Sequence, residues 1–242
     1  MQTSSVTRAL RILDLLARAE KPVPLRQIAL ELEIPKSTAH GILKDLVRER
    51  FADVHDPASY TVGIKAFEVG AAHLRIAGVD SLITSELTAL SRALEVTAHY
   101  AVLDGCEAVY LYKQDPPRTG IALASAIGAR LPAHLTAVGK CALAWLSPAV
   151  LASHVEPAAW QAHGRELQDE IDAIRERGYA TDHGQVAVGI ECIAAPVFDA
   201  GGARGAVGIS YLRGTPLSED SVADQVKTTA HRLTTMFGGS SA

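Results

Sequence analysis

From Val6 to Gly63 the chain presents two short helical patterns, a tight turn, a third helix and a hairpin, and this succession constrains the fold more than any other feature. Val6, Leu10, Leu13 and Ala17 recur at the spacing with which a helix buries one face. Leu25, Ile28, Ala29 and Leu32 repeat it over a shorter stretch, introduced by Pro22 and Pro24. A third helix is expected from Pro35, a residue suited to the first helical position because its missing N–H has no intrahelical partner there. Its apolar stripe is Ala39, Ile42, Leu43 and Leu46. Only Glu33 and Ile34 separate the second and third helices, so the pair must turn sharply. Phe51–Val54 and Tyr60–Val62, joined by the turn residues 55–59, then read as a hairpin. The succession predicts a winged helix-turn-helix over residues 1–63.

A sharp turn exposes the start of the third helix. Lys36, Ser37, Thr38 and His40 lie there off the apolar stripe, and Lys44 extends their face by one turn. Small hydroxyls and a cation at a helix start suit phosphate and base-edge contacts in a major groove. The candidate DNA-contacting set is therefore Arg26, Gln27, Lys36, Ser37, Thr38, His40, Lys44, Ser59 and Tyr60.

The formal net charge of −4 argues at first against nucleic acid. Dividing the chain removes the objection: residues 1–75 hold 11 Lys and Arg against 9 Asp and Glu, whereas residues 76–242 hold 12 against 18. A first half of net +2 binds one half-site weakly, because each phosphate contact is screened by salt. Useful affinity requires a homodimer or homotetramer on a palindromic operator.

Residues 64–78 continue in helical spacing through Ile64, Phe67, Ala71 and Leu74, and read as a linker helix. Residues 79–242 mix helices and strands. A helix carries Leu82, Ile83, Leu87, Leu90 and Leu94. Ala98–Leu103 and Glu107–Lys113, joined at Asp104-Gly105, form a hairpin. A strand is expected near Ile121–Ala126, with helices over Thr136–Leu146 and Glu166–Arg177, the latter stopped by Gly178. Strands over Glu191–Phe198 and Gly205–Leu212 flank Gly201-Gly202, and Ser218 opens a last helix. Hairpins interleaved with helices imply an α+β fold, an antiparallel sheet covered by helices.

A ligand site follows from the chemistry of the second half. Thr136 starts a helix whose first N–H groups, at Ala137, Val138 and Gly139, lack intrahelical acceptors and carry the positive end of the dipole, which suits a small anion. Leu131, Ile190 and Cys192 supply apolar walls, Ser125 and Ser210 hydroxyls, and Asp182 an acceptor. Leu123 joins the candidate set.

Other chemistries fit less well. Gly139-Lys140 lacks the earlier glycine of a phosphate-binding loop, since His134 stands there, and Cys141 replaces the hydroxyl that would hold magnesium. Gly202, Gly205 and Gly208 do not make a dinucleotide fingerprint. A Cys192 nucleophile served by His134 or His183, or a metal held by these three, is the enzyme alternative. A sensor acting through protein contacts, its winged part serving only for dimerisation, is the other. Cys106, Cys141 and Cys192 show no paired spacing, so reduced thiols and no disulfide framework are expected. No apolar run approaches the roughly 20 residues that span a bilayer, and no secretory leader is evident, so a cytoplasmic protein without membrane contact is expected.

The chain resembles the IclR family of bacterial transcriptional regulators over almost its whole length. The resemblance rests on Thr7–Leu16, Leu25–Leu46 and Tyr60–Gly63 in the first half, and on "GARLPAHLTAVGKCALAWLS" and "RERGYATDHGQVAVGIECIAAPVFD" in the second. It implies a GAF-like or profilin-like effector domain and no cofactor. It also implies a pocket for a small organic acid lined by Leu131, Ala137, Val138, Asp182, Ile190, Cys192, Gly208 and Ser210, and regulation of a catabolic operon as repressor or dual regulator. The chain departs from the family pattern at Glu33 and Arg50, where glycine is usual, at Gly41 in place of an arginine, and at Gln185 in place of a glutamate.

Overall fold

The computed structural model describes residues 4–55, 58–77, 80–117 and 126–240. The chain divides into two compact units, Met1–Gly78 and Val79–Ala242.

In the first unit, α1 (Ser5–Arg18) starts at Ser4, whose hydroxyl accepts the Thr7 N–H at 3.1 Å. β1 (Val23–Pro24), α2 (Leu25–Glu31), α3 (Lys36–Arg48), β2 (Ala52–His55), β3 (Ser59–Val62) and α4 (Ile64–Ala77) follow. The strands form an antiparallel sheet in the order β1-β3-β2. Ile12, Leu16, Ile28, Ala39, Leu43, Leu46 and Tyr60 close one core. The expected face of α1 is corrected: Val6 and Leu10 are 70% and 58% exposed and Ala17 is exposed, while Ile12 and Leu16 are buried beside Ala9 and Leu13. Both stripes obey a helical period, and contact with α3 and β3 chooses between them. Pro35 is likewise corrected, since its ψ of 138° places it just before the helix as an extended cap.

α2 and α3 stop in the same way. Glu33 and Arg50 adopt φ of 52° and 64°. In each case the next amide reaches back to the third residue from the helix end, Ile34 N–H to Ala29 C=O at 3.0 Å and Phe51 N–H to Leu46 C=O at 2.8 Å. These are left-handed terminations normally given to glycine. Gly63 packs against the second of them, where a Cβ would run into the Arg50 carbonyl.

The second unit contains α5 (Asp80–Leu94), β4 (Thr97–Asp104), β5 (Glu107–Gln114), β6 (Arg130–Pro132), α6 (Ala137–Ala144), α7 (Pro148–Leu151), α8 (Pro157–Arg177), β7 (Ala180–Asp182), β8 (Ile190–Asp199), β9 (Gly202–Leu212) and α9 (Glu219–Met236). Its six strands among the described residues are all antiparallel, in the order β6-β5-β4-β9-β8-β7. Alternate residues of each strand face opposite ways. Ala194 and Ala206 pack with Cys141, Leu143, Ile171 and Ile174 of α6 and α8. Ile193, Val207 and Ile209 pack with Leu87 of α5 and with Val226 and Leu233 of α9. The result is an antiparallel sheet between two helical layers.

One expectation changes, two short strands were not foreseen, and one expected strand falls outside the described residues. α8 begins at Pro157 and not at Glu166, because Gly164 does not break it: its Cα lies against the Trp160 ring, 3.1 Å from where a Cβ would stand. β6 and β7, three residues each, carry too little pattern to be read from sequence. The strand expected at Ile121–Ala126 lies outside the described residues but for Ala126, which is not in a strand.

Candidate functional site

The start of α3 is exposed, as its sequence requires. Lys36, Ser37, His40 and Lys44 face solvent and Thr38 is half-buried. No side chain caps this end; Ala39 N–H bonds back to the Pro35 carbonyl, leaving the amides before it for an external acceptor. Among the described residues no ion pair engages Lys36 or Lys44, whereas Arg48 is tied to Asp45 at 2.7 Å and Glu49 at 3.1 Å. Arg26 and Gln27 are exposed on α2, where Gln27 Nε2 donates to Glu31 Oε1 at 2.7 Å. Ser59 is half-buried at the turn end of the wing, paired with His55. Tyr60 is corrected: it is 5% exposed and belongs to the core, because the alternation of β3 turns it inward opposite Val23.

In the second unit the sheet register gathers the ligand candidates. Asp182 pairs with Cys192 and Cys192 with Ser210, so the three side chains form a row across β7, β8 and β9. Cys192 Sγ lies 3.2 Å from Ser210 Oγ. A second row runs through Ala194, Gly208 and His99. Gly208 lets the layers close, since a Cβ there would stand 2.9 Å from His99 Nε2 and 3.0 Å from Val138 Cγ1. Leu131 is partly buried on β6, paired with Ala108, and Ile190 is half-buried two residues before Cys192 on the same face. Leu123 and Ser125 lie outside the described residues.

α6 is buried throughout and its N-terminus carries the cap expected of Thr136. Thr136 Oγ1 accepts the Gly139 N–H at 3.0 Å, so Gly139 is withdrawn from the anion-binding set and Ala137 and Val138 supply the remaining amides. Asp182 Oδ1 accepts the Gln185 N–H at 2.6 Å, which commits that oxygen to the following loop. Burial raises the Asp182 carboxyl, and the backbone donors of Gln185, Gly184 and Val186 act against it. The Cys192 thiol is pushed up to about 12 by burial, and its hydrogen-bond partner is a serine, so it is not a nucleophile paired with histidine. His183 is exposed, and among the described residues no three His, Cys, Asp or Glu side chains could hold a metal.

Sequence reasoning missed three residues. Lys140 is 1% exposed, with Nζ 2.7 Å from Glu170 Oε1 and 2.7 Å from Gln185 Oε1. A lone cation in the otherwise small and apolar segment "AVGKCALA" was the signal for it. His99, pushed down to about 3 by burial and by Lys113, is a neutral imidazole whose Nδ1 has no partner among the described residues. Its ring meets Tyr110 edge to face at 5.1 Å. An isolated His or Tyr in a strand carries no such message in sequence.

The helix-turn-helix and the site-bearing sheet each have a counterpart among known proteins. The family model described as IclR helix-turn-helix domain matches residues 5–55, and the one described as bacterial transcriptional regulator IclR C-terminal matches residues 72–235. The chain belongs to the IclR family. This IclR regulator is 35% identical over 205 residues to the HTH-type transcriptional regulator XynR of Escherichia coli K12, covering 81% of this chain and 80% of XynR. It is 28% identical to the transcriptional repressor IclR of the same organism, covering 82% and 76% of the two chains. Its fold is shared with an IclR homolog of Microbacterium hydrocarbonoxydans complexed with 4-hydroxybenzoate, with a TM-score of 0.79 at 18% identity over 96% and 98% of the two chains. Membership makes this IclR chain a transcriptional regulator with a DNA-binding helix-turn-helix and a C-terminal effector domain, and not an enzyme. Among the described residues no helix is long and apolar enough to cross a membrane.

Proposed function

We propose that this IclR regulator is a repressor or dual regulator of a catabolic operon whose operator affinity is set by a small organic acid in the second unit. Lys36, Ser37, Thr38, His40 and Lys44 of α3, helped by Arg26, Gln27 and Ser59, contact a palindromic duplex. The acid places its carboxylate at the Ala137 and Val138 amides. Its body lies along the row of Cys192 and Ser210, between Leu131 and Ile190, with Leu123 and Ser125 completing the wall. The observation that carries the reading is the α6 N-terminus, where the Thr136 side chain caps Gly139 alone and Val138 lies against Gly208, two residues before Ser210 on β9. The 4-hydroxybenzoate complex of the Microbacterium homolog and the repressor named among the relatives support the ligand class and the role.

A homodimer or homotetramer acting in the cytoplasm completes the proposal, since a palindrome requires two reading heads. Val6 and Leu10 on α1 and Phe67 on α4, which we read as the linker helix, are exposed apolar side chains that a second copy would cover. The ligand acts only through its differential affinity for states the protein already samples. Ser210→Phe tests the site: operator binding by fluorescence anisotropy is expected to stay within about threefold of the parent, while acids that shift the parent's binding lose their effect. Loss of operator binding together with ligand response would overturn the separation of the two sites.

A further inference from the structure

The second unit contains a cavity at the C-terminal end of α6. It measures 340 Å³ and opens where β7 ends, so that Ala195 to Phe198 of β8 lose their neighbour on that side. Pro196, Phe198 and Trp145 give it apolar walls, and Arg175, Arg177 and Lys227 stand around it with Glu176. Trp145 directly follows α6, whose N-terminus faces the effector site, and α6 is eight residues, about 12 Å, long.

The polar groups of this cavity are donors in excess. Arg175 is spent on the structure: its guanidinium donates to the Ala144 carbonyl at 2.6 Å and the Leu146 carbonyl at 3.3 Å and pairs with Asp172. In doing so it occupies the carbonyls at the end of α6, which would otherwise repel an anion. Arg177 is different. Its Nε donates to the Tyr179 carbonyl and its guanidinium lies 4.8 Å from the centre of the Tyr179 ring, yet among the described residues no carboxylate pairs with it. Lys227 Nζ also lies over that ring, 5.7 Å from its centre, its partner being Asp224 in an exposed pair of little strength. The Trp145 Nε1–H, held edge to face against Phe198 at 5.2 Å, is buried without an acceptor. Two cations, Arg177 and Lys227, beside one apolar wall describe the complement of an organic carboxylate.

We propose that this cavity is a second small-molecule site, which takes an organic monoanion with its apolar body on Pro196 and Phe198 and its carboxylate between Arg177 and Lys227. A ligand here touches the residue that ends α6, and a ligand at the effector site touches the residues that begin it, so each would alter the affinity of the other equally.

Trp145 and Trp160 are the two tryptophans of the chain, so indole 15N-labelling of the full protein yields two side-chain signals, assigned by Trp160→Phe. Benzoate is the probe and benzamide its neutral isostere, at matched ionic strength, in a Ser210→Phe background that blocks the effector site. Benzoate is expected to move the Trp145 signal saturably, and benzamide to bind about tenfold more weakly. The shift should vanish in Arg177→Gln with Lys227→Gln, and weaken in Lys227→Gln alone should the double variant not fold. A Trp145 signal that ignores benzoate, that answers benzamide equally, or that still saturates in the charge variants overturns the proposal. None of these outcomes bears on the effector site, which the background has closed.

Discussion

Lys140, 1% exposed within α6, holds its Nζ 2.7 Å from Glu170 Oε1 of α8. Its only other acceptor among the described residues is the neutral Gln185 amide, so Glu170 is the one carboxylate in direct contact with a buried ammonium that Asp182 reaches only through space. Glu170→Gln strands that charge and is expected to destabilise the second unit by about 3 kcal/mol, whereas Lys140→Met removes the charge and leaves a carboxylate able to rehydrate. Urea unfolding should therefore rank Glu170→Gln below Lys140→Met. The reverse order would mean that the pair is not what holds α6 to α8.

His99 ties stability to pH. Burial holds its folded pKa near 3 against 6.5 for the free side chain, so between those values the unfolded chain binds the extra proton and stability falls as pH falls. One such group contributes a slope of up to about 1.4 kcal/mol per pH unit in that window and none above it. His99→Gln should flatten the curve of unfolding free energy between pH 4 and pH 6.5 by about that slope; parallel curves for parent and variant would show the imidazole to be solvated.

Glu33 and Arg50 end helices in a conformation that disfavours side chains. Replacing either with glycine is expected to raise the stability of the first unit by about 1 kcal/mol. Thermal unfolding detects this as a rise in Tm, and a fall at either position would show that the side chain makes a contact worth more than the strain. Gly63→Ala should act oppositely, because the added methyl meets the Arg50 carbonyl.

The α3 face predicts a salt dependence. Lys36→Ala with Lys44→Ala removes two cations that no carboxylate in the described structure neutralises, and should reduce the slope of log affinity against log salt by about 2. An unchanged slope in anisotropy titrations over a range of chloride concentrations would exclude both from the phosphate contacts.

Gly208 tests how closely the site is packed. Gly208→Ala puts a methyl within 3.1 Å of His99, Val138 and Ala194, and is expected to cost about 1 to 3 kcal/mol and to displace the α6 N-terminus from the Ser210 row. Urea unfolding measures the first effect. The second appears as weakened ligand response, and a variant with parental values for both would show that the layers have slack.

Much of the first unit was legible in the sequence because its information is local. Helix spacing, the two-residue turn and the position of the hairpin each depend on residues a few places apart, and the exposed start of α3 follows from them. The stripe of α1 was not legible: Val6 and Ile12 lie on different faces of one amphipathic helix, and only the packing of α3 and β3 buries the second. Tyr60 fails as a contact residue for the same reason, its side being fixed by pairing with β1.

In the second unit the sequence by itself determined the cap at Thr136, the left-handed stop at Gly178 and the two long strands β8 and β9, since each is written in adjacent residues. Only the tertiary structure decided that Asp182, Cys192 and Ser210 stand in one row, that His99 lies beside Gly208, and that Lys140 is neutralised from α8 thirty residues away. Sheet register and helix layering bring together groups remote in the chain. Desolvation, which keeps His99 and Cys192 neutral and raises the Asp182 carboxyl, exists only once those layers have closed.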